Sequence, residues 1–195
     1  MEVLRLADGL WRWTAVHPRW EYWPNHEREP REVGCVYYEA DDATVLIDPL
    51  VPAGEADDFF RHLDADVERR GLPVGILLTA EWHRRSTDEL AKRYDARIGD
   101  TPPASIEEFP IEGTDERQVA YFIRPHAALV VCEVFAVDIH GELRVCESSA
   151  LARPDELEAS LDRLMELPVE RLLVSHGEPV LEDAKTRMAE ALARR

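Results

Sequence analysis

His83, Arg84, Arg85 and Ser86 stand side by side and offer the densest chemistry in the sequence. An imidazole titrates near neutral pH and can move a proton or ligate a metal. Two guanidinium groups stay cationic and suit a carboxylate or phosphate. Ser86 beside His83 has the makings of a nucleophile and its base. No glycine-rich elbow surrounds it, however, and the same serine fits the N-cap of a following helix, with Glu89 three positions on. A second group, His17, Trp20, Tyr22, Trp23 and His26, gathers aromatic and imidazole rings on one irregular stretch. Such rings either line a pocket or lie as a lid over the core. Cys132 beside Glu133 reads as a small buried hydrophobe or, alternatively, as a thiol nucleophile. His62 reads as a surface residue and His126 as a solvated hairpin tip. No Gly-x-x-x-x-Gly-Lys, Gly-x-Gly-x-x-Gly or Cys-x-x-Cys pattern occurs, so nucleotide binding, zinc knuckles and thioredoxin chemistry have no motif behind them.

The elements that must position these groups follow from periodicity. Val3 to Leu6 and Leu10 to Val16 alternate around an Asp8-Gly9 turn, as a hairpin does. Residues 17–31 lack a period and read as a long loop, a candidate lid. Gly34 to Tyr38 and Thr44 to Ile47 read as strands, the second ending at Asp48-Pro49. A helix is expected from Pro52 to about Arg70, with Ala56, Phe59, Phe60, Leu63 and Val67 on one face. Val74 to Thr79 is a continuous apolar run, as in a buried strand, and the Ser86 helix follows to about Tyr94. The middle of the chain reads as β: a short strand at Arg97 to Gly99, a hairpin of Gln118 to Ile123 with Ala128 to Val134, then Phe135 to Ile139 and Leu143 to Cys146. Pro154 opens a helix, Leu172 to Ser175 is a strand, and a last helix carries Val180, Leu181, Ala184, Met188 and Leu192. Strands, then helix-strand-helix, given twice, suit one α/β domain over residues 1–195 with two sheets face to face and helices outside.

Composition narrows the partners. The formal charge is -17, from 40 acidic and 23 basic residues, which disfavours nucleic acid and anionic membranes. No apolar run is long enough to span a bilayer. The start of the chain, with Glu2 and Asp8, does not read as a signal peptide, and a cytoplasmic location is expected. Cys35, Cys132 and Cys146 are odd in number and irregularly spaced, which fits reduced thiols. A homodimer through the outer faces of the two C-terminal helices is left open.

Four segments, taken in order, resemble the metallo-β-lactamase superfamily. Val45-Leu46-Ile47-Asp48 is similar to its strand ending in Asp, and Ile76-Leu77-Leu78-Thr79 to the strand that leads into H-x-H-x-D-H. Ala128 to Val134 is similar to the strand ending in Gly-Asp, and Leu172-Leu173-Val174-Ser175-His176-Gly177 to the closing strand and its His-Gly. The resemblance implies a four-layer αββα fold of two mixed sheets, with Asp48, His83, Glu133 and His176 at strand ends around one cleft.

The same resemblance exposes a loss. Aligned on Thr79, the four ligand positions of the loop carry Ala80, Trp82, Arg84 and Arg85, none of which donates a lone pair to a metal. The residue expected between those motifs and the middle hairpin is also missing: residues 112–115 hold no histidine. The resemblance therefore implies a degenerate member without a dinuclear zinc site, with no cofactor expected and a non-catalytic or small-ligand-binding role. Arg84, Arg85, His17, Trp20 and Trp23 would bind the ligand, and Glu133 would pair with Arg84 or Arg85. The alternative is a mononuclear, zinc-type hydrolase of an ester, thioester or lactone that uses His83, Glu133 and His176, with Asp48 as an orienting group. A metal-free hydrolase on Ser86 or Cys132 ranks third. The catalytic candidates are then Asp48, His83, Arg85 and Ser86.

Overall fold

The computed structural model describes residues 1–20, 27–145 and 153–194. Tyr22, Trp23, His26 and Cys146 lie outside the described residues.

The first half builds a six-stranded sheet. β1 (Val3–Ala7), β2 (Leu10–Val16), β3 (Glu32–Glu39) and β4 (Thr44–Ile47) pair antiparallel in that order. The chain then crosses over through α1 (Ala56–Arg70), so β5 (Val74–Leu77) runs parallel to β4. α2 (Thr87–Tyr94) makes a second crossover to β6 (Arg97–Ile98), parallel to β5. The second half builds a four-stranded sheet in the order β12-β9-β8-β7. There β7 (Ile106–Ile111), β8 (Gln118–Ile123) and β9 (Ala128–Val131) are antiparallel, and β12 (Arg171–Val174) is parallel to β9. A small hairpin of β10 (Phe135–Val137) and β11 (Leu143–Val145), then α3 (Pro154–Glu166) and α4 (Ala184–Ala193), complete the described elements.

Three apolar layers correspond to three interfaces. Val36, Val45 and Ile47 meet Val119, Tyr121 and Val130 between the sheets. Phe59, Leu63 and Leu90 pack α1 and α2 on the outer face of the first sheet, against Trp13, Tyr37 and Ile76. Leu157, Leu161, Leu164 and Met188 pack α3 and α4 on the outer face of the second. This is the αββα order. No helix among the described residues is long and apolar enough to cross a membrane.

Several boundaries differ from the sequence reading. α1 starts at Ala56, because Pro52 to Gly54 turn the chain first and Gly54 has φ 82°. α4 starts at Ala184, because Val180 exchanges two backbone hydrogen bonds with Leu172 and Asp183 takes a left-handed φ of 52°. Ser86 sits at the N-cap position of α2 but makes no side-chain cap; its Oγ instead accepts the Val51 N–H at 3.0 Å. β7 was not expected at all. Pro110 and the Glu107-Glu108 pair interrupt its alternation, and an edge strand tolerates both.

The parallel pairs matter most for function. β4, β5, β9 and β12 run into Asp48, Thr79, Cys132-Glu133 and Ser175-His176, and the carboxyl ends of parallel strands are where α/β folds place ligands. The two sheets are joined by backbone at this end: Gly34 N–H donates to Ser175 O at 2.7 Å and Val119 N–H to Thr79 O at 2.8 Å.

Candidate metal centre at the strand ends

Asp48 follows β4 with φ 51°, a left-handed conformation that aspartate tolerates better than most residues. Its carboxylate is buried and takes three donors. Thr79 N–H reaches Oδ1 at 2.8 Å, the Thr79 hydroxyl bonds Oδ2, and His83 Nδ1 lies 2.9 Å from Oδ2. Burial alone would raise the Asp48 pKa; His83, Arg85 and Thr79 together outweigh it and hold it below the usual carboxylate range. His83 lies on a single 3-10 turn (Glu81–Arg84) after β5, and its ring is packed edge-on by Trp82 at 5.9 Å. Burial works to lower the His83 pKa, but the Cys132 sulfur and Asp48 lift it well above the ordinary imidazole value.

With Nδ1 committed to Asp48, His83 Nε2 faces inward. It lies 3.8 Å from Glu133 Oε1, while Cys132 Sγ stands beside the ring, 3.9 Å from Nε2 and 4.0 Å from Nδ1. His83, Cys132 and Glu133 have ligand atoms all within 4.8 Å of one another, and they form the one such donor group among the described residues. His176 joins through the same oxygen, its Nε2 3.5 Å from Glu133 Oε1. Its Nδ1 faces Glu29 Oε2 at 3.6 Å, and Arg144 stands on the far side of Glu29 at 3.7 Å. Burial opposes ionisation of Glu133, yet His176 and His83 keep its carboxyl far below the usual range.

The His176 turn is built tightly. Gly177 has φ 86°, and a Cβ there would fall 2.1 Å from Val137 O. Buried Arg12 crosses from β2 and donates to Gly177 O at 2.6 Å. It passes over Gly34, where a Cβ would fall 2.6 Å from Arg12 Nε, so glycine is required for the guanidinium to pass.

Arg85 and Arg84 part ways. Arg84 is half exposed and binds Asp88 at 2.7 Å and Glu81 at 3.6 Å, on the outside of the turn. The expected pairing of Glu133 with either arginine is absent among the described residues; Glu133 faces the two imidazoles instead. Arg85 points inward from a backbone at φ 28°, ψ -106° and donates to Ser175 Oγ at 3.3 Å. Its Nε and Nη1 are buried with no hydrogen-bond partner among the described residues. His17 is buried, its ring 6.4 Å from that of His176; burial first, then Arg85 and His176, push its pKa down to about 4. Trp20 is half-buried on the same loop. Among the described residues no imidazole reaches the Ser86 hydroxyl, since the His83 Nδ1 is turned to Asp48.

Sequence reasoning named Asp48, His83, Glu133 and His176, and the fold brings all four together. It missed Cys132 as a donor, and it missed Glu29 and Arg12. A Cys-Glu dipeptide closing an apolar strand was the available signal for the first; Glu29 and Arg12 are placed by tertiary structure alone.

Solved structures share the architecture. A metallo-β-lactamase from Pontibacter korlensis superposes with a TM-score of 0.58 at 14% identity, covering 100% of this chain and 99% of that one. An archaeal metallo-β-lactamase superfamily protein from Sulfolobus tokodaii gives 0.60 at 17% identity, over 83% and 79%. A flavodiiron core from Synechocystis gives 0.64 at 12% identity, over 99% of this chain and 60% of that one. No protein-family model and no curated protein sequence matches the chain. At these identities the likeness concerns the fold: the chain has the metallo-β-lactamase fold.

Proposed function

We propose that this metallo-β-lactamase-fold chain holds a single metal ion and hydrolyses an ester, thioester or lactone that carries an anionic group. One observation carries the reading. His83 and His176 each turn Nδ1 to a buried carboxylate, Asp48 at 2.9 Å and Glu29 at 3.6 Å, and Nε2 to one Glu133 oxygen, at 3.8 and 3.5 Å. A carboxylate behind the distal nitrogen is how proteins orient metal-binding imidazoles. The two separations from Glu133 Oε1, 3.5 and 3.8 Å, are long for N–H···O bonds. They suit donors that each stand about 2.0–2.3 Å from one shared ion. Glu133 Oε1 is buried with no hydrogen-bond partner among the described residues, which is costly unless something else engages it.

The donor chemistry fits. The imidazole of His83, the thiol of Cys132 and the carboxylate of Glu133, with His176 reaching the set through Glu133, suit a borderline ion such as zinc or iron. Ala80, Trp82, Arg84 and Arg85 offer no ligand to a second ion, and Glu81 on the same loop turns outward to Arg84. When bound, the ion would supply Lewis acidity and lower the pKa of a bound water toward about 7. The chain's own residues do the rest. Asp48 fixes the His83 ring by a hydrogen bond, and Glu29 offers His176 Nδ1 a buried countercharge at 3.6 Å. Trp82 braces the His83 ring, and Arg12 with Gly177 holds the His176 turn. Arg85 offers two unused N–H donors to the anionic group of a substrate. Those donors also favour a second reading, in which the cleft binds a small anion with no metal.

Reconstitution with cobalt or zinc, followed by elemental analysis, tests the proposal. The expectation is one ion per chain and, with cobalt, a thiolate-to-metal absorption that disappears in Cys132→Ser. Loss of the ion in a His83→Ala, His176→Ala double variant that still folds completes the case. A chain that stays metal-free through reconstitution, yet binds sulfate in an Arg85-dependent way, would establish the second reading instead.

A further inference from the structure

A cavity of about 550 Å³ opens on the outer, α1-bearing face of the first sheet, and none of its lining residues belongs to the strand-end cleft. Its volume lies within the usual range of small-molecule sites. The walls are aromatic. Trp11 and Tyr37 meet edge to face with ring centres 5.3 Å apart, and Trp13 lies against Phe59 at 5.6 Å. The floor is held in place from behind, because Trp13 Nε1 donates to Leu50 O at 2.9 Å and Tyr37 OH to Glu39 at 3.1 Å. The rim is acidic: Glu55, Asp58 and Asp66 line it, together with His62, and no lysine or arginine does.

We propose that this cavity binds a small organic cation with an aromatic or alkyl body, an arylalkylammonium in the simplest case. The aromatic faces present their negative quadrupole to a cation. The carboxylates add charge complementarity at the mouth. The chain supplies its own example of the match, since the Arg5 guanidinium stands 6.0 Å from the centre of the Trp11 ring. Asp58 and Asp66 are engaged from outside by Arg61 and Arg69, one helical turn along. Exposed pairs of that kind contribute little and leave the carboxylates able to face a ligand. An anionic ligand would meet carboxylates on the mouth side and is disfavoured, although Arg61 and Arg69 offset part of that charge. A neutral one would gain the walls and forgo the rim.

The probe is benzyltrimethylammonium, titrated against the tryptophan fluorescence and by calorimetry at constant ionic strength, with benzyl alcohol and benzoate as neutral and anionic counterparts. Saturable binding of the cation is expected, at least about tenfold tighter than benzyl alcohol, with no saturation by benzoate. Asp58→Asn with Asp66→Asn, both surface changes, is expected to reduce the cation preference while leaving the melting temperature near that of the parent. His176→Ala is expected to leave the affinity unchanged, which separates this site from the metal centre. Equal binding of alcohol and cation, saturation by benzoate, or no saturable binding of the cation would each overturn the proposal.

Discussion

Asp48 and His83 form a sealed pair, Oδ2 to Nδ1 at 2.9 Å, at a backbone turn with φ 51° that joins β4 to the cleft. Asp48→Asn keeps the shape but brings an amide donor against the donors of Thr79 or His83. Metal affinity is expected to fall about 10- to 100-fold, and stability by about 1–3 kcal/mol. Competition against a chelator and urea unfolding measure the two. Undiminished metal affinity would detach Asp48 from the centre.

Gly177→Ala places a methyl group 2.1 Å from Val137 O at a left-handed backbone position. The chain must shift there, so a loss of at least about 2 kcal/mol is expected from thermal or urea unfolding. Arg12→Met is expected to cost less. It leaves the Gly177 carbonyl without its donor, but it also removes a guanidinium whose pKa burial has already lowered. A Gly177→Ala variant as stable as the parent would contradict the packing described.

Arg85 sits at φ 28°, ψ -106°, where a side chain is more strained than glycine would be. Arg85→Gly is expected to cost nothing or to add up to about 1 kcal/mol of stability, while sulfate protection against thermal unfolding disappears. This is the sign of a strained functional position. Destabilisation with sulfate protection intact would assign Arg85 a purely structural role.

Asp64 on α1 clamps α2: Arg93 Nε donates to it at 2.8 Å and Tyr94 OH at 2.7 Å, and the guanidinium lies 4.2 Å over the Phe60 ring. The Arg93 hydrogen bonds hold the Asp64 carboxyl below its ordinary value, against a smaller burial effect. A carboxyl with a depressed native pKa stabilises the fold above its unfolded pKa of about 3.9, and that contribution fades as pH falls through the native value. Asp64→Asn is therefore expected to lower stability at pH 7 and to narrow the gap to the parent below about pH 4. Because the pair is largely exposed, the difference should stay under about 1 kcal/mol. A gap that is flat between pH 7 and pH 3 would rule the linkage out.

The sequence carried the fold where periodicity was clean. The alternating hairpin at the start, the continuous Val74 to Thr79 run and the faces of α1 and α3 needed no tertiary information. β7 was hidden because its proline and paired glutamates obey edge-strand rules rather than alternation. The cleft was legible through the order of its strand ends, which gave Asp48, His83, Glu133 and His176. Glu29 was illegible because it belongs to a stretch without a period and is buried by tertiary contacts, where Arg28 O takes the Ile139 N–H and Glu29 itself faces His176 and Arg144. Arg12 was illegible for another reason: charge in an alternating strand normally faces water, and here it runs between the sheets to a carbonyl on the other half. Arg84 and Arg85 look alike in sequence, and a single left-handed residue sends them to opposite sides.

The backbone joints at the strand ends, Gly34 to Ser175 and Val119 to Thr79, tie the two halves together beside the cleft. Partial opening of the sandwich must then begin at its opposite margin and reach the cleft last. The Gly34 and Val119 amides should accordingly trade their hydrogens for deuterium only when the whole chain unfolds. A cleft anchored in this way keeps its strand ends in register for as long as the two sheets stay joined.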